Sequence, residues 1–182
     1  MNAWKLPQSA VIGGVTYKIN TDYRDILDII KYLTDVRKSE YSRWMIALAL
    51  FYEGDIPEDD QEEAAKFLSD FISYGTPEEK PGPKLMDWDQ DAAIIIADIN
   101  KVAGKEIRAE SYLHWWTFLS YFNGIGEGQL STVVGIRSKK AKGKKLDKWE
   151  QEYYRDHRQK IDFQKQDDQE KAEIKQYFNK WL

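Results

Sequence analysis

Two short apolar runs near the start of the chain have the pattern of a β-hairpin. They lie within Ser9–Asn20 and are separated by Gly13-Gly14. Two consecutive glycines readily adopt the positive φ angles that a tight turn between antiparallel strands requires. We therefore predict a hairpin here, followed by a helix that Thr21 or Asp22 caps with a side-chain oxygen.

Beyond the hairpin, apolar residues recur at intervals of three and four, which is the period of an amphipathic helix. Gly54, the sequence GTP at residues 75–77 and Gly104 are stop signals between the helical runs. The polar segment Glu78–Lys84 contains two prolines and is the best candidate for an internal hinge. The predicted helical runs are Ile26–Leu33, Glu40–Glu53, Ala64–Ile72 and Asp87–Ala103.

The densest aromatic stretch of the chain predicts a central helix. Asn123-Gly124 can end this helix, because both residues tolerate the left-handed conformation that is common after a helix C-terminus. A second apolar run, Leu130–Ile136, follows. The large apolar side chains of the predicted helix are Tyr112, Trp115, Trp116, Leu119 and Phe122 on one face, with Leu113, Phe118 and Tyr121 around the rest of it.

Two interpretations of this aromatic helix remain open. A helix that is apolar nearly all round is usually buried, so the rings can simply form the core. Alternatively, some of the rings remain exposed as an anchor surface for another protein, because Trp and Tyr are enriched at binding hot spots.

The C-terminal quarter of the chain is less apolar and strongly charged. Ser138–Lys145 predicts a short basic linker, and amphipathic helices are predicted around Leu146–Tyr153 and Ile174–Trp181. The predicted fold class is mainly α: a single helical domain of about seven helices, with a small N-terminal β-hairpin and a charged C-terminal helical extension. We divide the chain into a hairpin plus helical core domain, residues 1–137, and a basic linker with charged amphipathic helices, residues 138–182.

Length and composition fit one soluble folded domain. The chain has 182 residues, of which 42% are hydrophobic and 14% aromatic, enough for a sizeable core. Cysteine is absent, which excludes disulfides, thiolate catalysis and zinc sites of the cysteine type. The N-terminus lacks the pattern of a signal peptide, and the longest apolar run, Trp44–Tyr52, is too short to span a membrane.

Charge is distributed unevenly along the chain. The net charge is −4, but the residues from Ile136 onward carry 14 Lys and Arg against 9 Asp and Glu. An acidic body with a basic end indicates self-association or a charged partner. A solvated, charged helix explains the same pattern, so both interpretations stay open.

Three local motifs could carry chemistry, and each has a simpler explanation. Asp87–Asp91 alternates carboxylates that could bind a hard cation, but it lacks the EF-hand spacing, and acids at a helix start complement the helix dipole. The glycines at 124–128 match neither phosphate-binding motif. The basic run 138–145 beside Trp149 could bind nucleic acid, although the whole chain is acidic. We therefore expect no catalytic residues, no cofactor, no metal and no enzyme activity, and consider nucleic-acid binding unlikely.

Several segments of the chain resemble the gene-product-fifteen family of small proteins from siphophages and prophages of Gram-positive bacteria. The resemblance spans most of the sequence. The matching segments are Leu6-Pro7, IGGVTYKINTDYRD at residues 12–25, DWDQDAAII at 87–95, LHWWTFLSYFNGI at 113–125, Gly135-Ile136-Arg137 and Tyr154-Arg155.

The resemblance implies a non-enzymatic role in the assembly of phage tails. Genes of the family typically lie between those of the major tail protein and the tape-measure protein, where tail assembly chaperones are encoded. The implied partners are the tape-measure protein, and further the tail-tube protein or a companion chaperone, with self-association. The implied location is the bacterial host cytoplasm, with no copy in the mature virion. The alternatives are a structural tail component retained in the virion and, less favoured, a nucleic-acid-binding protein.

An aromatic groove is a physically coherent way to hold an apolar helix of the tape-measure protein. The candidate partner-binding residues are Trp115, Trp116, Phe118 and Phe122 first, and Trp149 and Trp181 second.

Overall fold

A computed structural model describes residues 4–74 and 82–164. The predicted fold class is confirmed: the described chain is mainly α-helical, with one N-terminal hairpin. The predicted helix around residues 174–181 lies outside the described residues, as do residues 78–81 of the predicted hinge. The elements are β1 Ser9–Ile12, β2 Val15–Lys18, α1 Tyr23–Thr34, α2 Glu40–Phe51, α3 Gln61–Ile72, α4 Ala92–Ala103, α5 Trp115–Asn123, α6 Gln129–Ala141 and α7 Lys148–Ile161.

The described chain forms two compact units. The first contains residues 4–74 and 99–124, and the second contains residues 82–98 and 125–164. Helix α4 contributes residues to both units. The division predicted from the sequence, between residues 137 and 138, stays a prediction, although α6 runs across that point.

The hairpin of the first unit forms as the two glycines predict. Strands β1 and β2 are antiparallel, with Ile12 opposite Val15, and the φ angles of Gly13 and Gly14 are 55° and 77°. The turn also packs against the start of α3, where the Glu63 carboxylate accepts a hydrogen bond from the Gly13 N–H at 3.0 Å. A side chain at residue 13 would collide with the carboxylate of Asp60, whereas residue 14 faces open space.

The two turn glycines therefore offer a matched pair of substitutions. We expect Gly14→Ala to lower the free energy of unfolding by about 1 kcal/mol, the usual cost of a left-handed L-residue. Gly13→Ala should cost more, because the added methyl group must also displace Asp60. Urea unfolding of both variants measures the difference, and equal losses would mean that the Asp60 contact costs nothing to rearrange.

Helices α1 and α2 form an antiparallel pair in the first unit. Asp22 caps α1 as predicted, since its side chain accepts a hydrogen bond from the Arg24 N–H at 3.0 Å. Ser39 caps α2 in the same way through the Ser42 N–H. The largest fully buried side chains of this unit are Ile12, Ile26, Ile29, Phe51, Leu68, Phe71, Ile99, Ile107, Trp115 and Phe118.

The second unit contains a helix that the sequence indicates only as an apolar run. Helix α6 buries Leu130, Val133 and Ile136, and its last turn occupies residues 138–141, the first half of the predicted basic linker. Val133 and Ile136 form a small core with Ile161 of α7. Helix α4 begins at Ala92 rather than near Asp87, so the acidic residues before it form a separate turn.

Candidate partner-binding surface

Helix α5 places its largest rings in the core of the first unit. Trp115, Trp116 and Phe118 are 1%, 2% and 1% exposed. The indole N–H groups of the two tryptophans donate to the carbonyl oxygens of Ile72 and Phe71 at 3.0 and 2.9 Å. These bonds satisfy the polar atoms of the buried indoles, as packed tryptophans require.

The candidate residues chosen from the sequence therefore differ in their surroundings. In this fold the rings of Trp115, Trp116 and Phe118 are core, and direct contact with a partner would require α5 to leave it. Phe122 is half-buried. Trp149 of α7 is 55% exposed, and Trp181 lies outside the described residues. Partner binding by these residues stays a prediction.

His114 caps the start of α5, a role that the sequence pattern did not indicate. Its Nδ1 accepts a hydrogen bond from the Trp116 N–H at 3.0 Å, and its Nε2 lies 3.1 Å from the Pro7 carbonyl oxygen, to which an Nε2–H would donate. Both contacts are satisfied together only by the neutral ring, because a protonated Nδ1 cannot accept. Burial accordingly lowers the pKa of His114 below its ordinary value.

We expect this cap to make stability depend on pH. The folded pKa of His114 is lower than the unfolded one, so unfolding takes up a proton between the two values. The stabilisation is complete above about pH 6.5, the unfolded value, and is lost as the pH falls below it. Urea unfolding at neutral and mildly acidic pH should show this loss.

The chain has two histidines, so substituting each one tests whether His114 causes this pH dependence of stability. The loss should shrink in His114→Asn, whose amide oxygen caps a helix without titrating. It should persist in His157→Gln. An unchanged pH dependence in His114→Asn would assign it to another group.

Helix α2 carries apolar side chains both on the side that faces the core and on the side that faces away from it. Its inner side buries Ala47, Leu48 and Phe51 in the core. Arg43 is its one charged residue between positions 41 and 50, and the guanidinium donates back to the Leu33 carbonyl oxygen at 2.9 Å. The opposite side, which we name the α2 outer face, consists of the apolar Tyr41, Met45, Ile46, Ala49 and Leu50 together with the polar Ser42.

The α2 outer face is open to solvent. Tyr41 is 69% exposed and Leu50 is 39% exposed, and Ala49 between them is exposed as well. Met45 and Ile46 are half-buried. A helix that is apolar on all sides is normally covered on all sides, so this face has the character of a binding surface.

A buried ion pair organises the second unit. The Arg137 guanidinium makes two parallel bonds to the Asp91 carboxylate, of 2.6 and 2.9 Å. It also donates to the carbonyl oxygens of Leu85, Lys160 and Ile161, so that all five of its N–H groups are used. The two side chains are 5% and 2% exposed. This pair holds three chain segments together.

The Asp87–Asp91 motif thus has structural roles in the described chain. Asp87 caps its turn, because its Oδ1 accepts the N–H groups of Asp89 and Gln90 at 2.9 and 2.7 Å. These bonds and the Lys84 ammonium lower the pKa of Asp87 despite its partial burial. Within residues 4–74 and 82–164, no group of three or more metal-binding side chains could hold an ion.

Part of the basic run after residue 137 is neutralised within the second unit. Lys139 pairs with Asp147 and Glu150 at 3.1 and 2.7 Å, and Lys140 pairs with Asp162 at 2.5 Å. These contacts join α6 to α7. They reduce the positive charge that this segment offers to a nucleic acid.

The fold is that of a small, mainly helical protein that begins with a β-hairpin. Residues 4–163 match the family described as Bacteriophage Gp15 protein, and the chain belongs to this family. Comparison with curated proteins and with solved structures gave no match. Membership supports a structural or assembly role in a bacteriophage. Among the described helices, none combines the length and the apolar character needed to cross a membrane.

Proposed function

We propose that this protein is a non-enzymatic tail assembly chaperone, which binds apolar helical segments of the tape-measure protein in the host cytoplasm. A tape-measure protein is long and helical, and its apolar stripes stay exposed until tail-tube subunits polymerise around it. A surface that covers one such stripe keeps the chain soluble. Family membership supports the phage context.

The observation that carries this proposal is the α2 outer face. It presents an uncharged, mostly apolar surface from Tyr41 to Leu50, about 15 Å long at 1.5 Å per residue and interrupted only by the Ser42 hydroxyl. An apolar helix can lie along such a surface and bury side chains at intervals of three and four. Tyr41 is the most exposed large ring on it and would be the anchor.

Substitutions on the exposed side of α2 test the proposal. We expect Tyr41→Glu and Ala49→Glu each to weaken binding of tape-measure fragments at least tenfold, because each places a charge in an apolar contact. Both positions are exposed, so stability should change by less than about 1 kcal/mol. Ser69→Glu, which adds the same charge to an exposed position of α3, is the control.

The measurement is pull-down and calorimetry with fragments that tile the tape-measure protein. If both α2 variants bound the tape-measure fragments as tightly as the wild-type protein does, the α2 outer face would not be the binding surface. Absence of binding by every fragment to the wild-type protein would contradict the chaperone function itself.

The family also accommodates a structural tail component that remains in the virion. Mass spectrometry of purified tails separates the two functions. A chaperone is absent from mature tails, whereas a structural subunit is present at a fixed ratio to the tube protein.

A further inference from the structure

The loop that joins α6 to α7 is strongly basic. Residues 139–150 contain six lysines, one aspartate and one glutamate, which gives a net charge of +4. Lys139 pairs with both of these carboxylates, and Lys140 pairs with Asp162. The remaining lysines are exposed and make no ion pair or side-chain hydrogen bond with any other residue that the structure describes. We name them the loop lysines: Lys142, Lys144, Lys145 and Lys148.

The backbone of this loop is fixed at both of its ends. Gly143 follows α6 with a φ of 64°, and its N–H and that of the next residue donate to carbonyl oxygens in the last turn of α6, at 3.1 and 2.8 Å. Before α7, the Glu150 carboxylate accepts the Asp147 N–H at 2.7 Å, and Lys139 joins both of these carboxylates to α6. A backbone that is already ordered lowers the entropic cost of binding a ligand.

An exposed aromatic ring directly follows the last loop lysine. Trp149 is 55% exposed, and its indole N–H bonds no other residue within the described chain. Its ring meets the ring of Tyr153 in an edge-on contact, with centroids 6.5 Å apart. Tyr153 in turn packs against the core of the second unit. Trp149 therefore lies beside the loop lysines as an open ring that rests on the core through its neighbour.

Carboxylates farther along α7 limit the extent of this basic surface. Glu152 and Asp156 are exposed and lie three and seven residues after Trp149, on the same side of the helix. Asp156 pairs with Arg155 at 3.0 Å, and the charge of Glu152 acts on the same arginine. The basic surface is therefore confined to the loop and the first turn of α7.

The net charge of the chain, −4, is a poor guide to this loop. Seven carboxylates lie within residues 53–63 of the first unit, a stretch that contains no basic residue. The loop belongs to the second unit and has the opposite sign. At physiological salt the influence of an exposed charge extends only about 8 Å, so a bound polyanion responds mainly to the charges that it contacts.

We propose that the loop lysines and Trp149 form a binding site for single-stranded nucleic acid. The lysines contact successive backbone phosphates, and the release of counterions from the polyphosphate supplies a driving force that an exposed ion pair between proteins lacks. Trp149 stacks on one unpaired base. An acidic polypeptide could meet the same lysines, but it has no base to stack on the ring. The site does not include the α2 outer face, so it does not rest on the proposed function.

The salt dependence of binding and the stacking contribution can be measured separately. The probe is a fluorescein-labelled oligothymidylate of about 15 nucleotides, followed by fluorescence anisotropy from about 0.05 M salt upward. With four phosphate contacts at about 0.7 each, the logarithm of the association constant should fall by about 2.8 for each tenfold rise in salt. The double variant Lys144→Gln with Lys145→Gln should halve this slope to about 1.4.

Trp149→Ala should weaken binding of the oligonucleotide about tenfold and leave the salt slope unchanged, because it removes the stacked ring but no charge. The control for the lysine variant is Lys5→Gln with Lys66→Gln, which removes the same charge from exposed positions of the first unit. It should bind like the wild type. Circular dichroism verifies that each variant is folded.

Three results would overturn the inference: no binding of the oligonucleotide at low salt, binding that the lysine variant does not weaken, or binding that Trp149→Ala leaves unchanged. Polyglutamate that competes as well as the oligonucleotide would also overturn it, and would identify the partner as an acidic polypeptide. The proposed function is decided separately, by binding of tape-measure fragments, which the loop variants should leave unchanged.

Discussion

Replacing Arg137 with methionine is expected to lower the free energy of unfolding by about 3–5 kcal/mol. The substitution leaves the Asp91 carboxylate buried at 2% exposure without its countercharge. It also leaves the carbonyl oxygens of Leu85, Lys160 and Ile161 without the donors that satisfy them. The loss should appear in urea unfolding followed by far-ultraviolet circular dichroism.

Two further variants distinguish the free-energy cost of leaving a buried charge unpaired from the cost of losing a long side chain. Arg155→Met removes an arginine whose partner Asp156 is exposed, and it should cost less than about 1 kcal/mol. The double variant Arg137→Met with Asp91→Asn should be more stable than Arg137→Met alone, because no buried charge is left unpaired. A double variant of equal or lower stability would contradict this account of the ion pair.

Trp115→Ala should lower the free energy of unfolding by about 3–5 kcal/mol, as expected when a large buried aromatic ring is removed. Trp115 is 1% exposed, stacks on Phe118 with ring centroids 5.4 Å apart, and donates its indole N–H to the Ile72 carbonyl oxygen. The substitution would leave a cavity and an unsatisfied acceptor in the core. Thermal and urea unfolding measure the loss.

Trp149→Ala is the matched control, because that ring is 55% exposed. It should change stability by less than about 1 kcal/mol. Comparison of the two variants separates core tryptophans from surface tryptophans. If Trp115→Ala weakened binding of tape-measure fragments while stability stayed unchanged, α5 would be a contact surface rather than core.

The sequence predicted those elements whose turn, capping or apolar pattern lies within a few neighbouring residues. The pair Gly13-Gly14 predicted the hairpin, because few other residues adopt two successive positive φ angles. Asp22 predicted the start of α1 through its capping oxygen. The aromatic run predicted α5, and its apolar circumference favoured burial.

Other features depend on contacts that are distant in sequence. Arg137 and Asp91 are 46 residues apart, so neither the ion pair nor its burial can be read from either segment alone. His114 caps α5 through Nδ1 in the tautomer whose Nε2–H can donate to the carbonyl oxygen of Pro7, 107 residues away in the sequence. Helix α6 contains the β-branched Val133 and Val134 followed by Gly135, and all three have low intrinsic helix propensity, so the local sequence favours a helix only weakly.

The apolar pattern of α2 likewise could not reveal which side faces solvent. Ala47, Leu48, Ala49 and Leu50 are consecutive small or aliphatic residues, yet the first two are buried and the last two are exposed. Packing against α1 and the rest of the first unit decides between them. The solvent-exposed candidate surface is therefore on α2, because the rings of Trp115, Trp116 and Phe118 in α5 are buried in the core.

Co-expression with the tape-measure protein of the same phage tests the central claim most directly. The tape-measure protein expressed alone should be insoluble, and the protein described here should keep it in solution as a complex that co-purifies and scatters light as one species. The Ala49→Glu variant should fail to do so, while Ser69→Glu should succeed. A tape-measure protein that stays insoluble with the wild-type protein, or that is soluble without forming a complex, would contradict the chaperone function.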